Sequence, residues 1–156
     1  MLIVVVIIGI VAAIAIPNLL ASRRSSNEGS AISSLRVINS AQMTYQATKG
    51  NGNYAGDSSD PTVVLSELGA DGSLDVTLAS GMKSGYRFEG LAYASTAGVP
   101  AQFYIVSEPL NTTGFTATGT KDFSMATDGV IYSGQNGTIS YSLVSGELTR
   151  SGGAPI

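Results

Sequence analysis

From Met1 to Ile16 the chain carries no polar side chain: Met-Leu-Ile-Val-Val-Val-Ile-Ile-Gly-Ile-Val-Ala-Ala-Ile-Ala-Ile. The β-branched content would suit a buried strand, but sixteen residues is too long for one, so length decides for a helix. Such a helix is about 24 Å long at 1.5 Å per residue. A bilayer core is roughly 30 Å thick and takes about 20 residues. Leu19, Leu20 and Ala21 extend the run past Pro17 and Asn18. A cleavable signal peptide would need a charged segment before the run and a small-x-small site after it, and neither is present.

Gly9 and Pro17 punctuate this helix. Proline has no N–H, so the carbonyl of Ala13 loses its helical partner, and Gly9 adds backbone freedom. The stretch between them is the weakest part of the helix, although membrane helices also tolerate an ordinary proline kink. From Asn18 to Lys49 the pattern turns amphipathic. Ala31, Leu35, Ile38, Ala41 and Tyr45 are spaced four, three, three and four apart and share one stripe. Ser33, Arg36, Ser40 and Thr44 lie opposite. Ile32, Val37 and Met43 sit off the stripe, which suits either contact with other chains or the single exposed apolar residues normal on any surface. Lys49-Gly50 is a C-terminal stop. A continuous helix from Met1 to Lys49 would span about 74 Å. A helix of that length must rest its first half on a membrane or on other helices.

Composition narrows the function. There is no His, Cys or Trp, the net charge is −3, and charged residues make up 12%. No His and no Cys remove most nucleophile–base pairs and leave zinc only carboxylate ligands. No disulfide can staple the second half, which must hold by packing and hydrogen bonds. An acidic chain is poorly suited to phosphate contacts, so no nucleic acid is expected as a partner. No catalytic residue, metal ligand or cofactor site is expected.

Residues 50–156 read as a turn-rich, β-rich head. Gly50 to Asp60 is loop-like, and Pro61 to Leu68 suits a short helix with Asp60 as N-cap. Tyr86–Tyr93 and Ala101–Ser107 form a first strand pair. Asp122–Ala126 and Val130–Ser133 form a hairpin around Asp128-Gly129, and Thr138–Val144 is the last strand. The fold class is α+β: a long N-terminal helix, apolar then amphipathic, packed on a small antiparallel sheet. Asp57, Asp60, Asp71 and Asp75 cluster in sequence without the ligand order of a calcium loop, and read as solvated carboxylates. Asn111-Thr-Thr113 and Asn136-Gly-Thr138 match the glycosylation sequon. Tyr45, Tyr86, Phe88, Tyr93, Phe103 and Tyr104 are expected to pack between helix and sheet.

The run Ile3 to Leu20, with Gly9 and with Pro17 eight residues later, is similar to the N-terminal segment of type IV pilins and type II secretion pseudopilins. The match covers about the first fifth of the chain. Ser22 to Glu28, Ala41 to Tyr45 and Phe123 to Tyr132 also look like pilin segments.

The resemblance implies a filament subunit. Such a subunit would be held in the inner membrane, then extracted by pilus assembly machinery into a helical homopolymer of identical subunits on the cell surface. Residues 1–21 would form the membrane and filament-core helix, 22–49 the amphipathic link, and 50–156 the extracellular head. Leu2, Ile3, Val4, Val5, Val6, Ile7, Ile8, Ile10, Val11, Ile14, Ile16, Leu19 and Leu20 would pack the filament core. Gly9 and Pro17 would mark where the helix unwinds, and Ala31, Leu35, Ile38, Ala41 and Tyr45 would seat the head. Family members carry a basic leader, then a methylated aromatic residue and a glutamate near the mature start. None of these precedes Met1. With Arg23 and Arg24 just after the apolar run and nothing basic before it, the start reads as incomplete. Two other readings are a pseudopilin of a short periplasmic piston and a monomeric binding module tethered by one helix.

Overall fold

The computed structural model describes residues 2–144 and 146–156. Its dominant element is α1, Leu2–Thr48, a single helix of 47 residues and so about 70 Å long. The helix runs unbroken through Gly9 and Pro17. It stops at a tight turn in which the amides of Lys49 and Gly50 both donate to the Tyr45 carbonyl. A Cβ on Gly50 would lie 1.9 Å from the Asn53 carbonyl oxygen, so only glycine lets the chain double back there.

Two short helices follow, α2 (Val63–Ala70) and α3 (Val76–Ala79). The helix expected from Pro61 starts two residues later. Asp60 does not cap it; its carboxylate accepts from the amide and hydroxyl of Thr62 in a local turn, at 2.9 and 2.7 Å.

The strands are β1 (Met82–Lys83), β2 (Tyr86–Tyr93), β3 (Gln102–Pro109), β4 (Lys121–Ala126), β5 (Ile131–Gln135), β6 (Ser140–Val144), β7 (Glu147–Ser151) and β8 (Ala154–Pro155). Six of them form an antiparallel sheet in the order β1-β2-β3-β4-β5-β8. The turn between β4 and β5 has Gly129 at φ 71°, with the Val130 amide donating to the Asp128 carboxylate. Strand β6 does not join this sheet; it pairs with β7 in a separate hairpin.

Alternation decides which face each side chain takes. Tyr86, Phe88 and Ala92 of β2, and Phe103 and Ile105 of β3, turn inward and are buried. They meet Leu35 and Ile38 of α1, Val64, Leu65 and Leu68 of α2, Leu78 of α3, and Phe123 and Met125 of β4. Tyr93 and Tyr104 alternate to the other face, which corrects their expected place between helix and sheet. There Tyr104 stacks on Tyr141 of β6, centroids 4.5 Å apart and planes 14° apart. Tyr141 also donates its hydroxyl to Ser124 at 3.0 Å. The amide of Leu148 donates to the Gln102 side chain at 2.6 Å. The β6–β7 hairpin therefore covers part of the outer face, and β4, between both layers, is buried from Asp122 to Ala126.

Two of the buried polar side chains hold returning loops. Gln42 is 0% exposed, and its side-chain amide is matched to the backbone of Ala55. Nε2 donates to the Ala55 carbonyl and Oε1 accepts from the Ala55 amide, each at 2.9 Å. Asp122, 1% exposed, accepts from the Gly137 amide, and its second oxygen has no partner among the described residues. Burial pushes its carboxyl above the ordinary carboxylate value.

Gln42→Leu leaves both Ala55 backbone groups buried and unpaired. It should destabilise the head by about 2–3 kcal/mol in denaturant melts, and an unchanged midpoint would show that water replaces the amide. Asp122 makes stability pH-dependent. The unfolded carboxyl ionises near the usual value of about 3.9 while the folded one still holds its proton. Stability therefore falls as pH rises above that value and levels off beyond the folded pKa. Asp122→Asn should melt higher than the parent at neutral pH, with the advantage gone by about pH 3. Equal melting at neutral pH would mean that the carboxylate is compensated.

Candidate assembly and membrane surface

Among the described residues, little packs on the first half of α1. Leu2, Ile3, Val4, Val5, Val6, Ile7, Ile8, Ile10, Val11, Ile14, Ile16 and Leu19 are 52–83% exposed, and Leu20 is half-buried. The helix is long and apolar enough to cross a membrane. Gly9 lies open, with nothing within 4 Å of where a Cβ would stand. Beyond Pro17, Asn18 donates its side-chain amide to the Ile14 carbonyl at 3.2 Å, back into the segment whose ladder the proline interrupts.

The second half carries the head. Ala31, Leu35, Ile38 and Ala41 are buried, and Tyr45 is half-buried against the core. The Tyr45 hydroxyl donates to Glu67 of α2 at 2.5 Å, and this carboxylate raises the pKa of the phenol. The other Glu67 oxygen accepts from the Gly56 amide at 2.7 Å. Ser33, Arg36, Ser40 and Thr44 face solvent. Of the three off-stripe residues, Val37 and Met43 are exposed, whereas Ile32 packs partly on the core, because the head wraps wider than one stripe.

Sequence reasoning missed the lower seam between helix and head, where the loop 110–120 runs alongside α1. Glu28 accepts from the amide and hydroxyl of Thr120 at 2.9 and 2.8 Å. Asn27 donates to the Thr118 carbonyl at 2.9 Å, and Arg24 to the Gly114 carbonyl at 2.7 Å. A signal was available. Arg24, Asn27, Glu28 and Ala31 stand at i, i+3, i+4 and i+7, so the stripe that seats the head continues downward in polar form.

The acidic cluster is dispersed. Asp57 and Asp60 accept from hydroxyls and amides of their own turns, which hold both carboxyls below the ordinary value. Asp71 pairs with Lys49, and Asp75 stands 3.8 Å from Lys83. Among the described residues no three acidic side chains converge as a metal site would need. Asn111 and Asn136 are exposed. No protein-family model, curated protein or solved structure matches the chain.

Proposed function

We propose that the chain is a non-catalytic structural subunit that polymerises, through the apolar half of α1, into an extracellular type IV pilus. The observation that carries this reading is that twelve large apolar side chains of that half stay more than half exposed among the described residues. Full burial of an aliphatic side chain is worth about 1.5–3 kcal/mol. For the twelve exposed ones, which are 52–83% exposed, the burial still open is roughly 10–20 kcal/mol, as large as the net stability of about 5–15 kcal/mol of a whole domain. So much surface must be covered by lipid or by other chains.

The two covers are close in energy, because lipid tails are about as apolar as leucine. A subunit stored in the inner membrane can therefore move into a bundle of identical helices without passing through water. Gly9 and Ala13 stand one turn apart, a spacing at which helices approach closely. The gap left by Pro17 in the helical ladder gives a place for α1 to unwind as it leaves the membrane. The resemblance of Ile3–Leu20 to the pilin segment supports the same reading.

Electron microscopy of material sheared from cells, with mass spectrometry of its main subunit, tests the proposal. Thin uniform filaments built from this chain are expected. Finding it only in membranes would sink the filament reading and leave a tethered head or pseudopilin. Pro17→Ala restores an N–H to the Ala13 carbonyl and stiffens the segment. It should cut the yield of sheared filament several-fold at equal subunit level, and an undiminished yield would remove the role given to this proline.

A further inference from the structure

The three contacts of the lower seam form a descending ladder: Thr120 with Glu28, Thr118 with Asn27, Gly114 with Arg24. Following the loop back from Thr120 to Gly114 is a walk down α1 toward its apolar half. Helical side chains lean toward the N-terminus and cover the turn before their own Cα. The Gly114 carbonyl, held by the Arg24 guanidinium, therefore lies over the turn where the apolar segment ends.

Phe115, the next residue, is 80% exposed. Of the chain's eleven aromatic residues it alone stands largely in the open; every other Phe and Tyr is buried or half-buried. Leu110, at the start of the same loop, is 48% exposed. The loop from Leu110 to Thr120 contains no charged residue, and Arg23 stands exposed on the helix beside it. An exposed aromatic, an uncharged loop and a basic pair, all at the end of an apolar helix, match the boundary between lipid headgroups and acyl chains. Arg23 and Arg24 suit anionic headgroups.

We propose that the loop 110–120 is a membrane-interface anchor, with Phe115 seated at the headgroup–acyl boundary of an anionic bilayer. This rests on the reading of α1 as membrane-inserted before assembly. The anchor would fix how deep the helix sits and hold the head down on the bilayer. Extraction of the subunit then has to free Phe115 as well as the helix.

The chain has no tryptophan, so one introduced indole reports one position. Phe115→Trp is compared with Ala47→Trp, an exposed site about 35 Å further along α1. Both full-length variants are reconstituted, dilute, into phosphatidylcholine–phosphatidylglycerol vesicles with acyl chains brominated near the headgroup. The indole at 115 should emit further to the blue than that at 47 and be quenched roughly twofold or more, the indole at 47 staying unquenched. A chain that floats with the vesicles while both indoles behave alike would overturn the anchor and keep the membrane helix. A chain that does not float would overturn both. A blue shift at 115 seen in sheared filaments and not in vesicles would make the loop a contact between subunits, overturning the lipid assignment.

Discussion

The structure depends on one helix being asked to satisfy two surroundings. Above Arg24 the face of α1 that carries Ala31, Leu35, Ile38 and Ala41 is closed over by the sheet and by α2. From Leu2 to Ile16 the side chains are apolar on every face, and nearly all of them are exposed. No rearrangement of the head could cover both halves, because a rod of about 70 Å outruns a head of some hundred residues. The chain is thus a folded domain fixed to an unfinished one, and its second half of burial has to come from elsewhere.

Within the head, the absence of cysteine puts the demand on layering. A sheet with one covered face would leave its outer side to water. Here the β6–β7 hairpin folds across that side, and its Tyr141 meets Tyr104 and Ser124. Strand β4 sits between both layers and is buried on both faces, which is how a head without disulfides secures a central strand. Asp122 is the cost of that arrangement, a carboxylate drawn inside to hold the Gly137 amide where the chain turns toward the hairpin.

Much of this was legible because it is periodic. The apolar run, the stripe from Ala31 to Tyr45 and the alternation of Tyr86–Tyr93 each repeat at the spacing of their element. What escaped was set by contact. Gln42 reads as a surface glutamine on a helix, and only the return of the chain at Ala55 makes it a buried clamp. Tyr104 is next to Phe103 on β3 and so must take the opposite face, but what it meets there is not marked until the hairpin is placed. Thr138–Val144 is not the last strand: β7 and β8 follow it, unmarked in the sequence because the first alternates only weakly in burial and the second is two residues long, and strand propensity does not name the partner of β6. The lower seam at Arg24, Asn27 and Glu28 was hidden by chemistry, since charged residues on a helix ordinarily read as solvated.

The margins of the sheet bear on how copies of this protein can meet. Its outermost strands, β1 and β8, are two residues each, and β8 ends in Pro155. Short edges and a proline offer an incoming strand almost no unpaired backbone to bind. The six-stranded sheet thereby gives a second copy little edge on which to extend it into a continuous ribbon, and the longer unpaired edges among the described strands are those of the β6–β7 hairpin.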